Sequence, residues 1–295
     1  MLQLLGPSTG GIRRVVGALT DGLRAHGWSV TTAGPAGVLD GLGGQDAVVP
    51  VPAGFSPGAL RTARRALAEL VGTAFLVAVV VGSGIAAQHL SPHDVGLQLF
   101  ENAAATAGGL VALILAFGPV SGAHFNPVVS LADAFFGGLE RRDLPVYVAA
   151  QVVGAIGGSI VANLMFELDA VSWSHHSRST GGLWLGEVVA TVGLLMVIFG
   201  VVRSGRSSAA PFAVGAYIGG AYFFTSSTSF ANPAVTIGRA FTDTFAGIEP
   251  ASVPAFVAFQ LVGMALAVVL IRTLYPDVSV TAEDVVVPHG DHRVR

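Results

Sequence analysis

Cysteine and lysine are both missing from this 295-residue chain, and charge of either sign is scarce: 11% of residues are charged against 52% hydrophobic. Without cysteine there is no disulfide, no thiolate metal site and no catalytic thiol. All fifteen basic residues are arginine, and the net charge of -3 gives no sign of a nucleic-acid partner. Soluble domains carry about 25% charged residues, so this composition, with a mean hydropathy of +0.69, points to a polytopic membrane protein. The start is also bare of a signal peptide. Met1–Leu5 runs straight into Gly6 and Pro7, too short for an apolar core and without a basic flank, so insertion has to begin at the first long apolar span.

Residues 1–60 contain no run long enough to cross a bilayer. They read as a strand at Leu2–Leu5, a Gly-rich turn from Gly6 to Gly11, an amphipathic helix with Ile12, Val15, Val16, Leu19 and Leu23 on one face, and a strand near Trp28–Thr32. The glycine pair, the basic helix and the Gly-Trp-x-Val strand resemble the opening βαβ unit of a family-4 GT-B glycosyltransferase. That resemblance implies a second, nucleotide-sugar-binding domain, and none follows, so a fused or vestigial leader is the preferred reading.

From Ala66 six apolar segments follow, near residues 66–88, 95–118, 144–166, 183–202, 210–225 and 253–274. A bilayer core needs about 20 residues per helix, with some tolerance. Arg61, Arg64 and Arg65, then Arg141 and Arg142, then Arg203 and Arg206 fall on one set of connections. The other set has His89, His93 and Asp94, then His175, His176 and Arg178, then Asp243 and Glu249. The positive-inside rule makes the arginine side cytoplasmic and both termini with it, in the cell's inner membrane. Residues 277–295 read as a mobile cytoplasmic tail whose His289 and His292 are solvated rather than metal ligands.

The six spans contain a repeat. Glu69, Asn126-Pro127-Val128 and Gln151-Val152-Val153-Gly154 in one half answer Glu187, Asn232-Pro233-Ala234 and Gln260-Leu261-Val262-Gly263 in the other. Three spans per half is an odd number, so the halves insert in opposite senses, as in the inverted repeats of membrane transport proteins. Asn is a favoured helix N-cap and Pro a favoured first residue. Each Asn-Pro therefore opens a helix, and the runs to about Phe136 and Phe241 are too short to cross. Two half-helices entering from opposite faces meet near the midplane, where such backbone survives only around a cavity. The expected fold is all-α: six transmembrane helices, two re-entrant half-helices and a short α/β-like leader. The channel domain spans 61–276, with halves of about 66–166 and 183–274.

Residues 66–276 resemble the major intrinsic protein family, the aquaporins and glycerol facilitators, through Ser121-Gly122-Ala123-His124-Phe125-Asn126-Pro127, the second Asn-Pro-Ala and the repeated Glu and Gln-x-x-Gly. The resemblance implies a homotetramer with one pore per subunit. It implies that Asn126 and Asn232 cap their half-helices while their amides face the pore, where the two positive helix ends oppose cations. It makes Glu69 and Glu187 acceptors for backbone N–H groups of the re-entrant loops, ahead of a proton relay. Gln151 and Gln260 brace helix contacts, with pore lining the weaker option, and Gly154, Gly157, Gly158 and Gly263 permit close helix approach. His124 either lines the cytoplasmic vestibule or packs with its polar edge satisfied. Glu101 and Asn102 are open between a vestibule face and an interfacial position.

The family's filter pattern changes here. Water-selective members carry an Arg directly after the second Asn-Pro-Ala, where this chain has Val235. The family's spacing puts Thr106, Gly220 and Ser229 at the other three filter positions. The result is a small, uncharged constriction with no aromatic ring and no Arg, wider than a water filter. Val128 replaces the usual Ala of the first motif. An Arg-free filter with Thr225-Ser226-Ser227-Thr228-Ser229-Phe230 before the second motif resembles bacterial members associated with arsenic resistance, and As(OH)3 is a compact neutral polyol. The expected function is a passive channel for glycerol-like polyols, metalloid hydroxides such as arsenite, and water, with no catalytic residue, metal or cofactor. The alternatives are a water-selective aquaporin, an ion-coupled transporter using Glu69 or Glu187, and a membrane-anchored sugar-nucleotide-binding fragment.

Overall fold

The structure, a computed structural model, describes residues 2–4, 31–34, 48–50 and 57–275. It divides into two compact units, Met1–Arg64 and Arg65–Arg295. The first holds three short strands, β1 (Leu2–Leu4), β2 (Thr31–Gly34) and β3 (Val48–Pro50). They form a parallel sheet in that order, with Leu2 opposite Thr31 and Thr32 opposite Val48. The second strand overlaps the expected Trp28–Thr32 at Thr31 and Thr32, and the third was not expected. The predicted Gly-rich turn, the helix around residues 12–23 and the tail 277–295 lie outside the described residues.

The helices are α1 (Pro57–Leu90), α2 (Val95–Ser121), α3 (Pro127–Phe136), α4 (Leu144–Met165), α5 (Gly181–Arg203), α6 (Ala210–Phe224), α7 (Pro233–Gly238) and α8 (Val253–Leu274). Among the described residues, α1, α2, α4, α5 and α8 are long and apolar enough to cross a membrane. The fifth expected span, α6, has 15 residues, about 22 Å at 1.5 Å per residue against about 30 Å of hydrocarbon. A 3-10 turn at Ser207–Ala209 extends it at one end. Side chains such as Phe75, Phe100, Val153, Leu185, Phe212 and Val269 stand exposed on the outer faces, as suits helices whose solvent is lipid.

Local chemistry sets the helix ends. The Asp94 side chain accepts from the Leu97 N–H at 2.9 Å to start α2. Asn126 and Asn232 do the same for α3 and α7, each with Pro as first helical residue. Helix α3 stops after ten residues because Gly137 turns left-handed, at φ 97°, and returns its N–H to the Asp133 carbonyl.

The halves pack by one recipe. On α4, Gly154 and Gly158 lie against the carbonyls of Leu70 and Ala74 on α1, so closely that a Cβ would collide. On α8, Gly263 lies against the Val188 carbonyl of α5, where a Cβ would come within 2.8 Å. Gly157, grouped with them by the sequence, meets nothing within 4 Å of where its Cβ would stand. These contacts bring Gln151 beside Glu69 and Gln260 beside Glu187.

Candidate functional site

Two peptides, residues 122–126 and 228–232, run into the centre of the bundle. Both turn left-handed at their first, second and fourth residues: Gly122, Ala123 and Phe125 at φ 89°, 50° and 49°, Thr228, Ser229 and Ala231 at 60°, 51° and 47°. For residues with a Cβ this conformation costs on the order of 1–3 kcal/mol each, and persists only where the surroundings over-determine it.

The buried carboxylates supply that constraint. Glu69 Oε1 accepts from Ser121 Oγ at 2.6 Å and the His124 N–H at 3.0 Å, while Oε2 accepts from the Phe125 N–H at 2.7 Å and Gln151 Nε2 at 2.8 Å. Glu187 accepts from the Phe230 and Ala231 N–H groups at 2.9 and 2.8 Å and from Gln260 Nε2 at 2.6 Å. Each Gln amide also donates into its half-helix, Gln151 to Ser130 Oγ at 2.9 Å and Gln260 to Thr236 Oγ1 at 2.8 Å. All four side chains are fully buried and none lines the cavity.

The two Asn side chains then clasp the opposite loop. Asn126 Nδ2 donates to the Ala231 carbonyl and Asn232 Nδ2 donates to the Phe125 carbonyl, both at 2.8 Å. Their Oδ1 atoms cap the helices, Asn126 accepting from Val128 N–H at 3.0 Å and Asn232 from Ala234 and Val235 N–H at 3.0 and 3.3 Å. An amide nitrogen carries two hydrogens, so the clasp takes one of them.

Both Asn residues line a cavity of about 60 Å³, room for on the order of four waters. Apolar side chains such as Leu110, Ile114, Val214 and Ile218 form most of its wall. Of the residues singled out by sequence, His124, Thr106, Ser229 and Val235 join the lining. His124 does two things at once: its Nδ1 lies 3.0 Å from Ser130 Oγ, and its Nε2 lies 3.4 Å from the buried Asp133 carboxylate. Pro127, Val128, Pro233 and Ala234 are buried behind the lining in the first turns of the half-helices. Asn102 donates to the Val80 carbonyl and to Ser83 Oγ, both at 2.8 Å, and Glu101 accepts from Ser91 Oγ at 2.8 Å.

Gly220 stands apart from this set. It is exposed, has nothing within 4 Å of where a Cβ would be, and does not line the cavity. The lining face of α6 is Val214, Ile218 and Tyr222, spaced one turn apart. Tyr222 Oη lies 3.2 Å from Thr106 Oγ1, which puts an aromatic ring in the wall where a small residue was expected.

Charge also enters the lining at a place the sequence reading missed. Val235 is uncharged, but Arg239, one turn further along, lines the same cavity and is only 3% exposed. Its guanidinium carbon lies 3.5 Å from the centre of the Phe230 ring, and its Nε donates to the Ala246 carbonyl. An ionisable residue so near the second Asn-Pro-Ala, in an apolar surround, was the available signal.

Residues 58–229 match the family described as Major intrinsic protein. The aquaglyceroporin AqpS of Rhizobium meliloti (strain 1021) is 50% identical over 211 residues, covering 72% of this chain and 90% of that one. The glycerol uptake facilitator protein of Pseudomonas aeruginosa is 32% identical over 215 residues, 62% of this chain and 75% of that one. The solved aquaglyceroporin from Plasmodium falciparum superposes with a TM-score of 0.57 at 21% identity, over 74% of this chain and 99% of that one, and shares the fold. The paired Asn-Pro half-helices, the carboxylates beneath them and these matches agree: the chain belongs to the major intrinsic protein family.

Proposed function

We propose that glycerol-like polyols and metalloid hydroxides such as arsenite pass through this chain, together with water, down their gradients along the cavity between the half-helices. Family membership makes it a multi-pass membrane channel for small neutral solutes rather than an enzyme. Val235 carries the finer reading. It stands in the lining next to Ser229 and Asn232, where an Arg would narrow the passage. A solute hydroxyl meets the second N–H of each Asn amide, while apolar walls leave its carbons or its arsenic unhindered.

Glu69 and Glu187, braced by Gln151 and Gln260, hold the loop carbonyls and Asn amides in register. The two half-helix N-termini oppose cations at the centre. Four copies form the assembly, each with its own pore. The chain sits in the inner membrane with the Arg141, Arg142, Arg203 and Arg206 connections in the cytoplasm. The relatives named for glycerol and as aquaglyceroporins support the polyol assignment.

A water-selective channel is the second reading, favoured by the Arg239 guanidinium and the Tyr222 ring in the lining. Stopped-flow swelling of proteoliposomes with water, glycerol and arsenite gradients separates the two. Flux of all three above protein-free vesicles supports the wide channel. Rapid water flux with both solutes excluded overturns it.

A further inference from the structure

We infer that Arg239 is the specificity-determining charge of this pore, moved one helical turn outward from the position where Val235 has left none. The inference rests on the channel reading and concerns the end of the pore that carries the connections around residues 89–94, 175–178 and 243–249. A second cavity opens there, lined by Asn102, His176, Arg178, Thr228 and Phe245 among others. Arg239 lines this cavity and the central one, and among the lining residues it alone is common to both. A solute moving from one to the other passes Arg239.

Position and restraint fit the role. Val235 and Arg239 are four residues apart, about 6 Å along the axis, on the segment that leads from Asn232 away from the centre. The Arg239 plane is fixed twice, against the Phe230 ring and by Nε to the Ala246 carbonyl. No carboxylate pairs with it among the described residues, and Nε makes its only hydrogen bond there, so its Nη N–H groups have no protein acceptor among them. A buried guanidinium without an ion pair is costly, and it persists where it serves a pathway. Arg178 approaches the same Phe230 ring, its guanidinium carbon 5.0 Å from the centre, and adds positive potential on the vestibule side. The consequence for solutes is specific. Hydroxyl oxygens meet two aligned donors at this throat, cations meet a fixed positive charge, and Val235 leaves the next turn inward open for a polyol's carbon skeleton.

Proteoliposomes carrying the full chain or Arg239→Leu test this, with Arg239→Lys and Arg239→Gln beside them. Water, glycerol and erythritol permeabilities are measured by stopped flow, and methylammonium uptake with a radiolabel. Arg239→Leu and Arg239→Gln should raise the erythritol-to-glycerol ratio severalfold and methylammonium uptake about tenfold, while Arg239→Lys keeps cations out to within about twofold. A structural role would instead lower every flux in parallel and leave the ratios alone, and unchanged ratios and unchanged cation exclusion in Arg239→Leu or Arg239→Gln overturn the inference. If Arg239→Leu fails to give monodisperse protein, Arg239→Gln, which keeps a planar donor, decides alone. Wild-type vesicles that pass neither water nor glycerol would sink the channel reading itself, whereas wild-type flux with unaltered ratios in the variants sinks only the role of Arg239.

Discussion

Half one buries Glu69 beneath the 122–126 peptide, and half two buries Glu187 beneath the 228–232 peptide, each carboxylate taking the N–H groups of the two residues before its Asn. The correspondence extends to Gln151 and Gln260, to Ser130 and Thr236, and to the left-handed residues three and one before each Asn. It stops at the lining. Two residues before the Asn, half one has His124 and half two has Phe230; seven residues after it, half one has Asp133 and half two has Arg239. In half one the histidine faces the acid at 3.4 Å, and in half two the ring carries the guanidinium at 3.5 Å. The repeat thus keeps what holds the loops and varies the pairs beside the lining, where His124, Phe230 and Arg239 face the cavity and Asp133 is buried behind His124. The opposite ends of the pore are given opposite chemistry on equivalent backbone.

The shared framework should break symmetrically, and with the largest effect. In Glu69→Gln and Glu187→Gln one carboxylate oxygen becomes an NH2 that faces backbone N–H groups. Each variant loses at least one charge-assisted bond and leaves a buried donor unpaired, about 2–4 kcal/mol, against loops already under backbone strain. Thermal unfolding in detergent should fall by about 5–10 °C in both, with flux reduced at least tenfold. A severe effect in one and none in the other would show that the halves are alike in geometry but not in load.

The lining should respond by solute instead. Val235→Arg puts a guanidinium one turn inward from Arg239, so the passage carries two charges in series. Glycerol and arsenite flux should fall severalfold and water flux by less than about twofold, with the melting temperature little changed. Equal flux of all three before and after would remove position 235 from the constriction. An equal fall in water and glycerol would mean that the central clasp, not the outer turn, discriminates between them.

What could be read from the chain follows the same division. Glu69, Glu187, Gln151, Gln260 and the two Asn-Pro pairs are legible because each half supplies the control for the other. A polar residue placed in apolar surroundings is costly once, and its return at matched spacing in the second half ties it to a duty both halves share. The charge of Arg239 was a signal but its place in the lining was not, and Tyr222 gave none, because both depend on which face of a short element looks inward and neither has a like residue in the other half. Gly220 shows the limit of spacing carried across a helix end: α6 runs to Phe224 and turns Val214, Ile218 and Tyr222 toward the cavity, leaving Gly220 about 200° away around the helix. The fifth span, read at 210–225, is a helix of 15 residues at Ala210–Phe224 preceded by a 3-10 turn, so its extent was legible although its inward face was not.

The smallest effect expected lies outside the repeat, where the connection before α5 meets the one after α7. Asp243 accepts from the His175 backbone N–H at 2.9 Å and from its Nδ1 at 2.8 Å. The backbone hydrogen bond first, then the His175 side chain, holds its carboxyl below the usual carboxylate range. A group whose folded value is depressed adds stability above its ordinary value and loses it as pH falls through the folded one. The contact should therefore be intact at neutral pH and lost only in the acid range below the ordinary carboxylate value. Asp243 is partly solvated and His175 is exposed, so screening keeps the contribution to no more than about 0.5 kcal/mol. Asp243→Asn should leave flux at neutral pH unchanged, lower the neutral melting temperature by no more than about 2 °C, and abolish the acid-side decline that this pair causes. A large loss at neutral pH would mean that the outer connections share the work of holding the 228–232 peptide, and that half two rests on more than Glu187 beneath it.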